Sequence, residues 1–219
     1  MCLIVLAWRA HPEFPLVVAA NRDEFHARPA APAAFWEDHP GILAGRDLEA
    51  RGTWMGVSRS GRFAAVTNYR GAREPRAVES RGALVSRFLG SDPAPKAYVA
   101  ALKKSLYSGF NLLATDGEEL WWMSNRDGAP RRLAPGVYGL GNALLDSPEV
   151  EPAKREFAAA IEPAPAVEPL FSALAKARIV NPEYGTRCST VLLQGERIRY
   201  AERSFATDGA EGETVHFEF

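Results

Sequence analysis

Hydrophobic positions in the chain fall into two patterns: short apolar runs cut by turn residues, and stretches with an apolar residue every three or four positions. Runs at residues 2–8 and 16–20 flank His11-Pro12 and predict a β-hairpin. Residues 26–40 carry Pro29, Pro32 and Pro40 and read as an irregular loop. A second hairpin is predicted over 54–58 and 63–68 around Ser60-Gly61. The period then changes. Leu84, Val85, Phe88 and Leu89 recur at helical spacing until Gly90, and Tyr98, Ala101, Leu102 and Leu106 repeat it after Pro95. Strand signals return at 110–115, 119–123 and 136–141, with turns at Asp116-Gly117 and from Asn125 to Gly128. Two further helices are expected near 153–161 and 169–177, separated by Pro163 and Pro165. Strands at 189–194, 198–205 and 213–218 close the chain.

Strands, two helices, strands, two helices, strands is the order of an α+β protein. Hairpin-linked strands make antiparallel sheets, and each sheet must cover an apolar face. The expectation is a four-layer α-β-β-α sandwich of two antiparallel sheets with a helix pair outside each. No repeat, low-complexity tract or linker divides the chain, so residues 1–219 read as one domain.

Composition narrows the function. The chain is 47% hydrophobic and 24% charged, so it is expected to fold, and its formal net charge of −1 gives no field to draw nucleic acid. Its longest apolar runs, 3–8 and 16–20, fall far short of the roughly 20 residues of a spanning helix, so no membrane insertion is expected. No basic segment precedes the first run, and Arg9 and His11 interrupt it, which argues against a secretory signal. Two cysteines make no disulfide framework and suit a reducing, cytoplasmic setting.

The chemistry-bearing candidates begin with Cys2. A small residue after the initiator permits removal of Met1, which would give Cys2 both a thiol and a free α-amine. Their ordinary pKa values, about 8.5 and about 7.7–8.0, are close enough for the amine to take the thiol proton. The alternative is a small apolar residue opening an edge strand. Asn21-Arg22-Asp23-Glu24 stands at the end of the second strand, where a cation would favour a thiolate and a carboxylate would orient an amine; a polar hairpin exit is the plainer reading. Asn68 and Asn142 each end a strand, where a neutral amide can serve an oxyanion hole or simply a turn. Arg187, in Gly185-Thr186-Arg187-Cys188, could bind an anionic group, while Cys188 leads into an apolar strand and reads as core. Arg70, Arg73, Arg76 and Arg81 form a basic stretch, either a solvated loop or a rim for an acidic substrate group. His11, His26, His39 and His216 lack ligand spacing, which predicts no metal site. Gly139 and Gly141 complete no dinucleotide fingerprint.

Taken together, these segments are more specific. Met1-Cys2-Leu3-Ile4, Ala20-Asn21-Arg22-Asp23-Glu24, Gly52-Thr53-Trp54-Met55-Gly56-Val57, Thr67-Asn68-Tyr69-Arg70, Phe110-Asn111-Leu112-Leu113, Gly141-Asn142-Ala143-Leu144-Leu145-Asp146 and Gly185-Thr186-Arg187 with Ser189-Thr190-Val191 occur in the order of the NRDE-motif family, also called the transport-and-Golgi-organisation protein 2 family. The chain resembles that family over nearly its whole length. It departs at Ser147-Pro148-Glu149-Val150, where an aromatic-proline-lysine run is common, and at Cys188, where a serine is common. The family resembles a distant branch of the N-terminal-nucleophile hydrolases, near bile-salt hydrolase and penicillin V acylase. The resemblance implies that fold and a catalytic set at Cys2, Arg22, Asp23, Asn68, Asn142 and Arg187, with Glu24 competing for the role of Asp23.

Three functions are compatible with this reading. One is a cysteine hydrolase of an amide or thioester, needing no cofactor. The second, implied by links of the family to haem trafficking and to lipid or acyl-CoA metabolism, is a non-enzymatic carrier of haem or an acyl-CoA-like ligand in the same cleft. The third is a scaffold with a disused site.

Overall fold

The computed structural model describes residues 2–71 and 77–219. They group into two compact units. The first takes in the chain up to Arg28, Pro135–Gly141 and Leu145–Phe219; the second takes in Pro29–Ala134 and Asn142–Leu144. With strands numbered along the chain, the first unit is a six-stranded antiparallel sheet of β1 (Leu3–Trp8), β2 (Leu16–Phe25), β10 (Gly136–Leu140), β11 (Tyr184–Gln194), β12 (Ile198–Phe205) and β13 (Glu211–Glu218). Its order is β10-β1-β2-β11-β12-β13, so β2 lies centrally between β1 and β11.

Helices α3 (Glu151–Ala160) and α4 (Val167–Ala175) cover one face of that sheet. Leu3, Val5, Val17, Ala19, Val191 and Leu193 form a core with Phe157, Leu170, Phe171 and Leu174. These strand positions are all odd-numbered. Because side chains alternate across a strand, the even positions Cys2, Arg22 and, beyond the bulge in β11, Cys188 take the opposite face. Gly139 lets α3 approach, since a Cβ there would come within 2.6 Å of the Val150 side chain.

The second unit is a seven-stranded antiparallel sheet in chain order: β3 (Ala30–Phe35), β4 (Ile42–Asp47), β5 (Met55–Ser58), β6 (Phe63–Asn68), β7 (Phe110–Thr115), β8 (Leu120–Ser124) and β9 (Arg131–Arg132). Helix α1 (Gly82–Leu89) lays Leu84, Val85 and Phe88 against Ala64, Val66, Leu112 and Met123, and Val99 of α2 (Pro95–Ala101) joins the same core. No helix among the described residues is long and apolar enough to cross a membrane.

Two antiparallel sheets, each with a helix pair on one face, are the expected elements. Three local expectations are corrected. Residues 26–40 are not a continuous loop, because they contain β3. Pro32 is tolerated there because β3 is an edge strand and its register with β4 shifts between Ala31 and Ala34, where a missing N–H breaks no regular ladder. β2 does not stop at Ala20 but runs on to Phe25, so the tetrad 21–24, expected at the end of the strand, lies there within its paired length: Asn21 pairs with Leu3, and Arg22 to Glu24 pair with β11. Likewise Gly185 to Cys188 lie inside β11 rather than before it.

Candidate active site

Cys2 immediately precedes β1, one step beyond the Leu3–Asn21 pair, and the continued register places it across from Arg22 on the face away from α3 and α4. Its thiol donates to the backbone carbonyl of Asp23 at 3.4 Å. Burial pushes the thiol up to about 11, and the Asp23 charge adds to the rise while the Arg22 charge opposes it. While a residue precedes it, Cys2 is therefore a neutral thiol at pH 7.

Arg22 supplies the positive field. Its side chain is only 12% exposed, and it meets the Glu24 carboxylate at a loose 3.7 Å. Its Nη1 is buried with no hydrogen-bond partner. A guanidinium donor left unpaired in the interior is costly, and an anion or a polarised carbonyl oxygen would satisfy it. Replacing Arg22 with glutamine is expected to slow alkylation of Cys2 at pH 7.5 about ten-fold, the effect of one pKa unit on thiolate fraction. The check is the rate of iodoacetamide adduct formation by intact mass.

The two acids divide their work. Asp23 faces the opposite side from Arg22 and is 4% exposed; its Oδ1 accepts the Thr186 hydroxyl at 2.6 Å. Burial raises its carboxyl above the usual value, and the hydrogen bond from the N-terminal amine, then the Thr186 bond, oppose that shift. Glu24 is the acid paired with Arg22, and it also accepts the Phe25 N–H at 2.9 Å. Through Thr186 the Asp23 side chain braces β2 against β11, the N-terminal amine also acts on its carboxylate, and its backbone oxygen receives the thiol.

Cys188 stands directly across from Arg22 in the β2–β11 register, so the guanidinium has a cysteine on each flanking side. Burial and the Glu202 charge hold the Cys188 thiol well above its ordinary value. Glu202 is itself buried and accepts the Thr190 hydroxyl at 3.3 Å.

Arg187 is the extra residue where the β2–β11 register shifts between Thr186 and Cys188, and a bulge re-aims such a side chain. Its Nη1 donates to the carbonyls of Phe25, His26 and Arg28 at 3.0, 3.3 and 3.0 Å. In this arrangement Arg187 ties down the exit of β2.

The two asparagines lie in the second unit. The Asn142 side chain donates to the Asn68 backbone carbonyl at 2.7 Å, and the Asn142 carbonyl accepts the Arg70 N–H at 2.7 Å. Asn111, fully buried, anchors the same turn by donating to the Ala143 carbonyl at 2.9 Å. The structure thus joins Asn68 and Asn142 to each other. Of the basic stretch, Arg73 and Arg76 lie outside the described residues, and Arg81 donates to the Gly109 carbonyl.

Reading the sequence alone passes over Tyr184 and gives Asn21 and Thr186, named within their segments, no role of their own. All three become visible once β2 and β11 are carried through their polar segments, because register then places Thr186 opposite Asp23 and Ser189 opposite Asn21.

Solved structures share this fold at low sequence identity. A mutant conjugated bile acid hydrolase from Clostridium perfringens matches with a TM-score of 0.61 and 9% identity, covering 99% of this chain and 97% of its own. An N-acylethanolamine-hydrolyzing acid amidase ortholog from Caenorhabditis elegans gives 0.59 and 10%, covering 88% and 92%. Penicillin V acylase from Agrobacterium tumefaciens gives 0.53 and 14%, covering 93% and 83%. The fold is that of the N-terminal-nucleophile hydrolases. In sequence, the transport and Golgi organization protein 2 homolog of Bos taurus is 35% identical, and that of Homo sapiens 33%; each match covers 100% of this chain and 99% of the relative. The model of the family described as transport and Golgi organisation 2 matches residues 1–182, and this chain belongs to that family.

Proposed function

We propose that the chain is an N-terminal cysteine hydrolase acting on an amide or thioester of a small or lipid-like molecule. The observation that carries this reading is that the charge of Arg22, whose buried Nη1 has no partner, acts on the Cys2 thiol in the direction of the thiolate. The fold neighbours support it: they are named as an acylase, an acid amidase and a bile acid hydrolase, the last solved as a cysteine-to-alanine mutant.

Removal of Met1 activates the site. It gives Cys2 an α-amine of its own, with an ordinary pKa of about 7.7–8.0, that takes the thiol proton. Arg22 favours the thiolate so formed. The sulfur attacks the substrate carbonyl, an S–C bond forms, and the carbonyl electron pair moves to oxygen. Collapse of that intermediate breaks the bond to the leaving amine or thiol, which takes its proton from the ammonium. Water then attacks the acyl-cysteine, the amine accepts a proton from it, and S–C cleavage returns the thiol.

The test compares natively processed protein with a form carrying a short N-terminal extension. Processed protein should lack the mass of Met1 and react with iodoacetamide at Cys2 near neutral pH. The extended form should react only as pH approaches about 11, the value burial imposes on its thiol. Retained Met1 in the native protein, or identical pH profiles for the two forms, would remove the basis of the reading.

A further inference from the structure

Tyr184 opens β11, directly opposite Phe25 of β2. Its hydroxyl donates to the backbone carbonyl of Asp23 at 3.2 Å. That oxygen is the one the Cys2 thiol approaches at 3.4 Å. A carbonyl oxygen has two lone pairs, and here one donor comes from the β11 side and the other from the β1 side. The thiol and the phenol therefore flank a single atom.

The phenol is held there by its surroundings. The Tyr184 ring packs edge-on against Phe25, with centroids 5.2 Å apart and planes at 74°. The next residue, Gly185, has no room for a side chain: a Cβ would lie 2.8 Å from the Ile179 carbonyl oxygen and 3.0 Å from His26 Nε2. Beyond it, Thr186 is fixed at both ends, donating to Asp23 Oδ1 at 2.6 Å and accepting the Ile179 N–H at 2.8 Å. Rigid supports of this kind keep a functional group within a fraction of an ångström of its working place.

We propose that Tyr184 is a positioning residue for the Cys2 sulfur. This rests on Cys2 being the nucleophile. In the resting site the thiol is parked on the Asp23 carbonyl, and Tyr184 fills that oxygen's other lone pair. When the thiol gives its proton to the α-amine, it can no longer donate to the carbonyl. Tyr184 keeps the carbonyl bonded, so the sulfur leaves without stranding a buried acceptor. The charged and titratable groups around that sulfur are Arg22 and Asp23 from β2, Cys188 from β11 and the N-terminal α-amine, which after removal of Met1 is that of Cys2.

The experiment uses processed full-length protein and Tyr184→Phe, which keeps the ring against Phe25 and removes only the hydroxyl. Two readouts are taken: iodoacetamide alkylation of Cys2 from pH 6 to 11, and kcat and KM on an acyl thioester. The variant should alkylate about ten-fold more slowly at pH 7.5, with its profile displaced to higher pH, and lose kcat by a similar factor at unchanged KM. Tyr98→Phe, which removes a tyrosine hydroxyl that in the second unit donates to the Leu84 carbonyl, should keep the wild-type profile, and thermal melts should confirm that both variants are folded. A Tyr184→Phe profile that superimposes on wild type would overturn the inference. If wild-type protein alkylates at neutral pH but never turns over any acyl compound, the hydrolase reading fails while the alkylation profiles still decide the place of Tyr184.

Discussion

Replacing Cys2 with alanine is expected to abolish the turnover of amide and thioester substrates proposed for the processed protein and to leave the fold intact. Removal of a covalent nucleophile in hydrolases that act as a unit costs on the order of 10⁶ in kcat. The fold should tolerate the change, because Cys2 lies before β1, is only partly buried, and contributes one hydrogen bond to a carbonyl that Tyr184 also serves. Residual hydrolysis in an acyl-thioester assay should match the protein-free rate, while far-ultraviolet circular dichroism stays unchanged. Cys188 is not expected to rescue the variant. Burial and Glu202 keep the Cys188 thiol protonated, and it has no α-amine beside it to remove the proton. Activity close to wild type in Cys2→Ala would assign catalysis elsewhere.

The second large effect is on stability. Asn21, the first residue of the tetrad, is fully buried and faces the helix layer. Its Nδ2 donates to the Leu174 carbonyl at 3.2 Å, and its Oδ1 accepts the Ser189 hydroxyl at 2.6 Å. One side chain thus joins β2 to the end of α4, where the Leu174 carbonyl also accepts the Ala177 N–H at 3.0 Å, and to β11. Leucine at this position fills the space but leaves the Ser189 hydroxyl without its acceptor. The expected cost is about 3 kcal/mol, or a melting temperature lower by about 10 °C for a chain of this size. Adding Ser189→Ala should restore part of it, since the stranded hydroxyl goes too. Equal melting temperatures for wild type and Asn21→Leu would show that this pair bears no load.

Much of the architecture was legible because its apolar runs carry their own period. Val17, Ala19, Leu84 and Phe88 are core residues where alternation or helical spacing put them. The misses share one cause: strand identity at those places comes from neighbours rather than from hydrophobicity. Asn21-Arg22-Asp23-Glu24 is too polar to read as strand, yet pairing with β1 and β11 makes it one. β3 carries a proline, and only its place at an edge reconciles that with a sheet.

The site was legible to the same degree. Cys2 could be named from its position and from the family's segments, and Arg22 from its charge. The separate duties of Asp23 and Glu24 could not, because they depend on which face of β2 each side chain takes, and that needs the strand to be continued to Phe25. Nor could the involvement of Tyr184, which is 161 positions from Asp23 along the chain and meets it only through the β2–β11 register. The carbonyl ties of Arg187 follow from a bulge that no pattern in the sequence marks.

The most direct test of Cys2 as an N-terminal nucleophile is the intact mass of processed protein quenched in acid during reaction with an acyl thioester, followed by peptide mapping. The expected result is one acyl group on residue 2 of the chain lacking Met1, absent from the N-terminally extended form and from Cys2→Ala. An acyl group on another residue, or equal labelling of the extended form, would contradict it.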